Sequence, residues 1–183
     1  MDNDRLKHSY AVAKKMMEIA KEYNLSEEDI QNCFLIGLNH DVGYEFTTNG
    51  TNHNKIGGEL LRDNGFKNWK EVYYHGDIDC QYQSIFLDIL NKADMQIDKY
   101  GNDVGYDRRL EDIKERYGES SDIYKNCVTL IESIRKNNMK EIIIFKWDNK
   151  YVIKNHIDDG IITMVYRFVW YNIKRRWYYA SKK

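Results

Sequence analysis

Apolar residues recur every three to four positions through most of the first 135 residues, and that spacing commits this part of the chain to amphipathic helices. Leu6, Val12, Met16, Ile19 and Tyr23 form one stripe, Ile30, Cys33, Phe34 and Leu38 a second, and Phe86, Leu90, Ala93 and Ile97 a third. None of the 183 residues is proline, where average usage of about 5% predicts roughly nine. Proline removes a helical hydrogen bond and clashes with the preceding turn, so its absence suits helices joined by short turns.

The punctuation agrees with that reading. A first helix is expected over residues 4–23. Ser26-Glu27-Glu28-Asp29 then has the form of an N-cap with an acidic first turn, and the helix it opens runs into Asn39-His40-Asp41-Val42-Gly43. Residues 44–52 read as a polar loop. A helix starts near His53, carries Ile56, Leu60 and Leu61, and stops at Asn64-Gly65. A short helix with Trp69 and Val72 leads to His75-Gly76, a longer one spans 83–100, and two more are expected near 107–117 and 121–137.

Beyond this the character changes. Residues 141–145 and 151–153 flank Trp147-Asp148-Asn149-Lys150 and predict a short β-hairpin. The division expected is a mainly helical domain over 1–138 and a C-terminal extension over 139–183. Tyr166, Phe168, Trp170, Tyr171, Trp177, Tyr178 and Tyr179 crowd that extension, with Arg167, Arg175 and Arg176 among them. Packing over the helices is the preferred reading. Base stacking and a homodimer surface are the others.

Composition excludes several classes. Twenty-eight basic residues nearly balance 29 acidic ones, so the formal net charge is −1 and there is no global attraction to nucleic acid or anionic membrane. Cys33, Cys80 and Cys127 contain no CxxC pair and suggest reduced thiols rather than a disulfide framework or zinc ribbon. No apolar run approaches a membrane span, the N-terminus lacks a signal-peptide core, and a cytoplasmic location is expected.

Four of the five histidines lie in the first 75 residues, each at an end or inner edge of an expected helix. Asp94 shares the inner face with Leu90 and Ile97. A carboxylate facing a core needs a partner, and a metal ion is a good one. Singly these residues carry little. As the ordered series His8, His40-Asp41, His53, His75 and Asp94, they resemble the HD superfamily of metal-dependent phosphohydrolases. The contexts Arg5-Leu6-Lys7-His8-Ser9, Gly37-Leu38-Asn39-His40-Asp41-Val42-Gly43, Ile56-Gly57-Gly58-Glu59 and Asn91-Lys92-Ala93-Asp94 match it too, over residues 4–135.

The resemblance implies an HD helical bundle and a set of metal ligands, with Asp41 and His40 at the catalytic centre. Asp41 would bridge two ions, His8, His40 and Asp94 completing one and His53 and His75 the other. Minimal HD proteins lack the last two histidines and hold one metal. Imidazole with carboxylate suits Fe, Mn, Co or Zn better than magnesium. The expected reaction is hydrolysis of a phosphate ester or anhydride, of a nucleotide or another small phosphorylated metabolite, by a metal-activated hydroxide. Alternatives are a di-iron oxygenase using the same ligands, or a non-catalytic nucleotide-binding regulatory module. Lys55, Lys92, Arg108 and Arg109 are the candidate phosphate contacts. Tyr44 departs from the lysine that often follows the HD-x-Gly turn, Asp77 reads as a turn residue, and His156 as incidental.

Overall fold

The computed structural model describes residues 3–48 and 50–145, and seven α-helices account for most of them. In order they are α1 (Asn3–Glu22), α2 (Glu27–Asn39), α3 (His53–Asp63), α4 (Trp69–Tyr74), α5 (Ile85–Asp94), α6 (Gly105–Tyr117) and α7 (Asp122–Phe145). A 3₁₀ turn, Val42–Phe46, joins α2 to the segment before α3 and overlaps the start of the stretch expected as loop. The fold is mainly α, as the periodicity predicts. No helix among the described residues is long and apolar enough to cross a membrane.

Local chemistry explains the starts of α2 and α5. The Ser26 hydroxyl accepts from the Asp29 N–H at 3.2 Å, capping α2, and three acidic side chains follow in its first turn. Ser84 caps α5 in the same way, accepting from Leu87 N–H at 3.2 Å. The end of α5 differs from expectation. The helix stops at Asp94, not near Tyr100, because Asp98 draws the next backbone into a turn. Its Oδ1 accepts from the N–H groups of Tyr100 and Asn102 at 2.9 and 2.8 Å. Asp94 is thereby the last helical residue rather than one in mid-helix.

The core lies between α1, α2 and α5. Val12, Met16 and Ala20 of α1, Cys33 and Ile36 of α2, and Ile89, Leu90 and Ala93 of α5 are fully buried, and Val72 of α4 joins them. A smaller cluster forms around Met95, Ile131 and Ile134, with Leu110 and Cys127 beside it. Because Leu90 is fully enclosed on the helix that carries Asp94, Leu90→Ala is expected to destabilise the protein by about 2–5 kcal/mol. Denaturant unfolding checks this; a loss below about 1 kcal/mol would mean that the site collapses without a cavity.

Two expectations need correction or fall elsewhere. Residues 141–145, expected as the first arm of a hairpin, are the end of α7. Three consecutive isoleucines favour a strand by local preference, but α7 arrives already nucleated, and adding residues to an existing helix is easy. The second arm (151–153), His156 and the aromatic-basic stretch lie outside the described residues. The chain divides into two units, Met1–Glu141 and Ile142–Lys183, and every residue of the site described next belongs to the first.

Candidate metal centre

Five helices deliver six side chains to one place, mostly from their ends. His8 comes from α1. His40 and Asp41 follow α2 directly. His53 is the first residue of α3, His75 the residue after α4, and Asp94 the last of α5. His8, His40, Asp41 and His75 are buried. Such placement lets side chains from separate helices meet where the helices come together.

The tautomer of each histidine is set by its own surroundings. His40 Nδ1 donates to the carbonyl of Gly37 at 2.7 Å, His53 Nδ1 to that of Gly50 at 3.0 Å, and His75 Nδ1 to that of Val72 at 2.7 Å. In each case the acceptor lies three residues earlier in the chain. His8 Nδ1 donates to the carbonyl of Asp98 at 2.9 Å. A backbone carbonyl only accepts, so Nδ1 carries a proton in all four rings, and Nε2 is the atom turned inward, with its lone pair free whenever the ring is neutral. That is how a neutral imidazole is prepared to bind a cation.

The four Nε2 atoms converge on two carboxylates. Asp41 Oδ1 lies 3.4 Å from His40, 3.5 Å from His53 and 3.9 Å from His75, and Asp41 Oδ2 lies 3.9 Å from His8. Asp94 Oδ1 lies 3.1 Å from His8 Nε2 and 3.8 Å from His40 Nε2. Two groups of ligand atoms mutually within 4.8 Å share Asp41: His8 with His40, and His53 with His75. His40 Nε2 is buried with no hydrogen-bond partner, and the Nε2 atoms of His53 and His75 face each other at 3.3 Å. Two lone pairs at that distance repel unless a cation or proton lies between them. The donor set fits divalent metal ions.

Electrostatics separate the two sides of the cluster. Burial pushes His53 and His75 below the usual histidine range, His53 further because of His75, and His75 further because of His40. Burial also pushes His8 down, but Asp94 and Asp41 beside it outweigh that and raise it. Asp41 and Asp94 are held below the ordinary carboxylate range. Burial opposes this, and the surrounding imidazoles overcome it, with Arg109 adding to the effect at Asp94.

The four candidate phosphate contacts part company. Arg109 comes nearest, with Nη2 3.9 Å from Asp94 Oδ1, Nη1 bonded to Asp112 at 3.0 Å, and its buried Nε without a hydrogen-bond partner. Lys55 lies beside the cluster, paired with Asp77 at 2.6 Å. Lys92 does not reach it. Two residues before Asp94 on the same helix, it projects from nearly the opposite side and is buried against the Tyr23 hydroxyl and, at 2.7 Å, Asp88. Arg108 is likewise elsewhere, exposed and paired with Glu111 at 3.2 Å.

Arg5 is the residue that sequence reasoning passed over. Its Nη1 donates to Asp41 Oδ2 at 3.0 Å, and its guanidinium lies 3.4 Å from the centre of the Tyr44 ring. Tyr44 in turn stacks on His53 at 4.0 Å between centroids, with the planes 22° apart. The available signal was position: Arg5 stands three residues before His8, on the same helix face.

The family model of the HD domain matches residues 5–163 of this chain. No curated protein and no solved structure matches it. The match spans every residue of the cluster and far more than half of the sequence. This chain therefore belongs to the HD-domain family, whose members bind divalent metals and are mostly metal-dependent phosphohydrolases.

Proposed function

We propose that this protein hydrolyses a phosphate ester or anhydride of a small molecule, a nucleotide first among the candidates, at a centre of two divalent transition-metal ions. The observation that carries the reading is the set of four imidazoles, each with Nδ1–H given to a backbone carbonyl and Nε2 turned toward Asp41 or Asp94. His8, His40 and Asp94 would hold one ion, His53 and His75 the other, and Asp41 both. Mixed imidazole and carboxylate donors suit Mn, Fe, Co or Zn. When bound, such ions supply Lewis acidity, which acidifies water and withdraws charge from phosphate oxygens.

The chain's own residues do the rest. The backbone carbonyls of Gly37, Gly50, Val72 and Asp98 hold the rings in one orientation, so no reorganisation is needed when substrate arrives. Arg109 beside Asp94, and Arg5 beside Asp41, bring fixed positive charge to where an anionic substrate would lie. No side-chain nucleophile is required.

The test is phosphate or nucleotide release by protein reconstituted with Mn²⁺, across nucleotides, dinucleoside polyphosphates and simple phosphomonoesters. Release that a chelator abolishes and Mn²⁺ restores is the expected result. A protein holding two metals and inactive on the whole panel would overturn hydrolysis and move the assignment to oxygen chemistry or ligand sensing at the same ligands.

A further inference from the structure

We propose that Lys55 and Asp77 form a clasp that sets the spacing of His53 and His75, and so governs occupancy of that half of the centre. The proposal rests on the two-metal reading above. His53 begins α3 and His75 follows α4, so no single helix fixes their separation. Each is followed two residues later by one member of the ion pair, with Lys55 Nζ 2.6 Å from Asp77 Oδ2. Between them Asn54 donates its side-chain N–H to the His75 carbonyl at 3.0 Å, while its Oδ1 accepts from the Lys55 backbone N–H at 2.9 Å.

The pair is not an ordinary surface contact. Its side chains are 31% and 27% exposed, and the Lys55 ammonium lies 4.4 and 4.8 Å from the centres of the Tyr73 and Tyr74 rings. Screening by water is reduced there, and the aromatic faces hold the cation in place. Just below, Gly58 of α3 meets Tyr73 of α4 so closely that a Cβ would lie 2.6 Å from the Tyr73 Cα. Helix contact on one side and the clasp on the other bring the two Nε2 atoms to 3.3 Å. The His8–His40–Asp94 half has no need of such a device, because α1, α2 and α5 are joined by the main core.

Charge alone predicts a different outcome, which makes the idea testable. Lys55→Met removes a positive charge near a cation site and by Coulomb's law should tighten metal binding, whereas Asp77→Asn should weaken it. The clasp predicts that both weaken it. Mn²⁺ titration of the full chain, followed by chelator competition and by the spin-coupled Mn pair signal, is the measurement. Wild type is expected to take two Mn²⁺. In each variant the Mn²⁺ that His53→Ala also loses should fall about ten- to a hundredfold in affinity and the coupled signal should fade, with the other ion unchanged. Lys55→Arg, which keeps charge and reach, should restore both. Unchanged or tighter binding in Lys55→Met would overturn the clasp while leaving the metal centre intact. A wild type that takes only one Mn²⁺ would instead overturn the two-metal assignment itself.

Discussion

Asp41→Ala is expected to lower metal-dependent hydrolysis by at least about a thousandfold, equivalent to roughly 4 kcal/mol of barrier. Asp41 lies within 3.9 Å of the Nε2 of every histidine in the cluster, and it alone is shared by the two possible ligand groups among the described residues. Its removal leaves imidazoles facing one another with no shared anion between them. Two divalent ions a few Å apart would then repel without compensation. Metal content measured on the same sample should fall below two per chain. His53→Ala, which touches one group only, should keep one tightly bound ion. Retention of both metals and of most activity in Asp41→Ala would sink the assignment of Asp41 as the shared ligand.

Gly43→Ala is expected to cost about 3 kcal/mol or more, through backbone overlap rather than lost chemistry. A Cβ on Gly43 would sit 1.9 Å from the His53 carbonyl oxygen and 2.7 Å from the Gly57 nitrogen. Both are main-chain atoms, so no side chain can rotate aside. The 3₁₀ turn carrying Gly43 and the start of α3 would have to move apart, which would shift His53 relative to Asp41. In a domain of this size a loss of about 3 kcal/mol lowers the melting temperature by roughly 6–12 °C. Thermal unfolding and Mn²⁺ stoichiometry check the two parts separately. A variant with wild-type melting temperature would show that the turn and α3 are not held as tightly as the contact implies.

These two positions differ in how far they could be read beforehand. Asp41 stands out as part of an ordered series of ligand-type residues, and its chemistry follows from residue type. Gly43 stands beside it with no such mark. What makes it irreplaceable is the main chain of residues ten and fourteen positions later, folded back against it. Similarly, Lys92 and Arg109 look equivalent as basic residues near Asp94, yet one is buried against Tyr23 and Asp88 and the other approaches the carboxylate.

Most of what acts within one or two helical turns is legible in the residues themselves, the Asp98 turn that ends α5 early being an exception. The apolar spacing placed the helices, and Ser26 and His53 marked starts that the structure reproduces. Even the tautomers of His40, His53 and His75 are local, because each ring bonds a carbonyl only three residues back. The Ile run at 142–144 marks the limit of such reading, since local preference for a strand was overridden by a helix already under way. Packing of the whole bundle is what brings His8 to Asp94 and the Asp98 carbonyl, 86 and 90 residues away, and Arg5 to Asp41, 36 residues away. Contacts at such separation are chosen by which apolar faces bury together, and that choice belongs to the packed core of α1, α2 and α5 as a whole rather than to any segment of it.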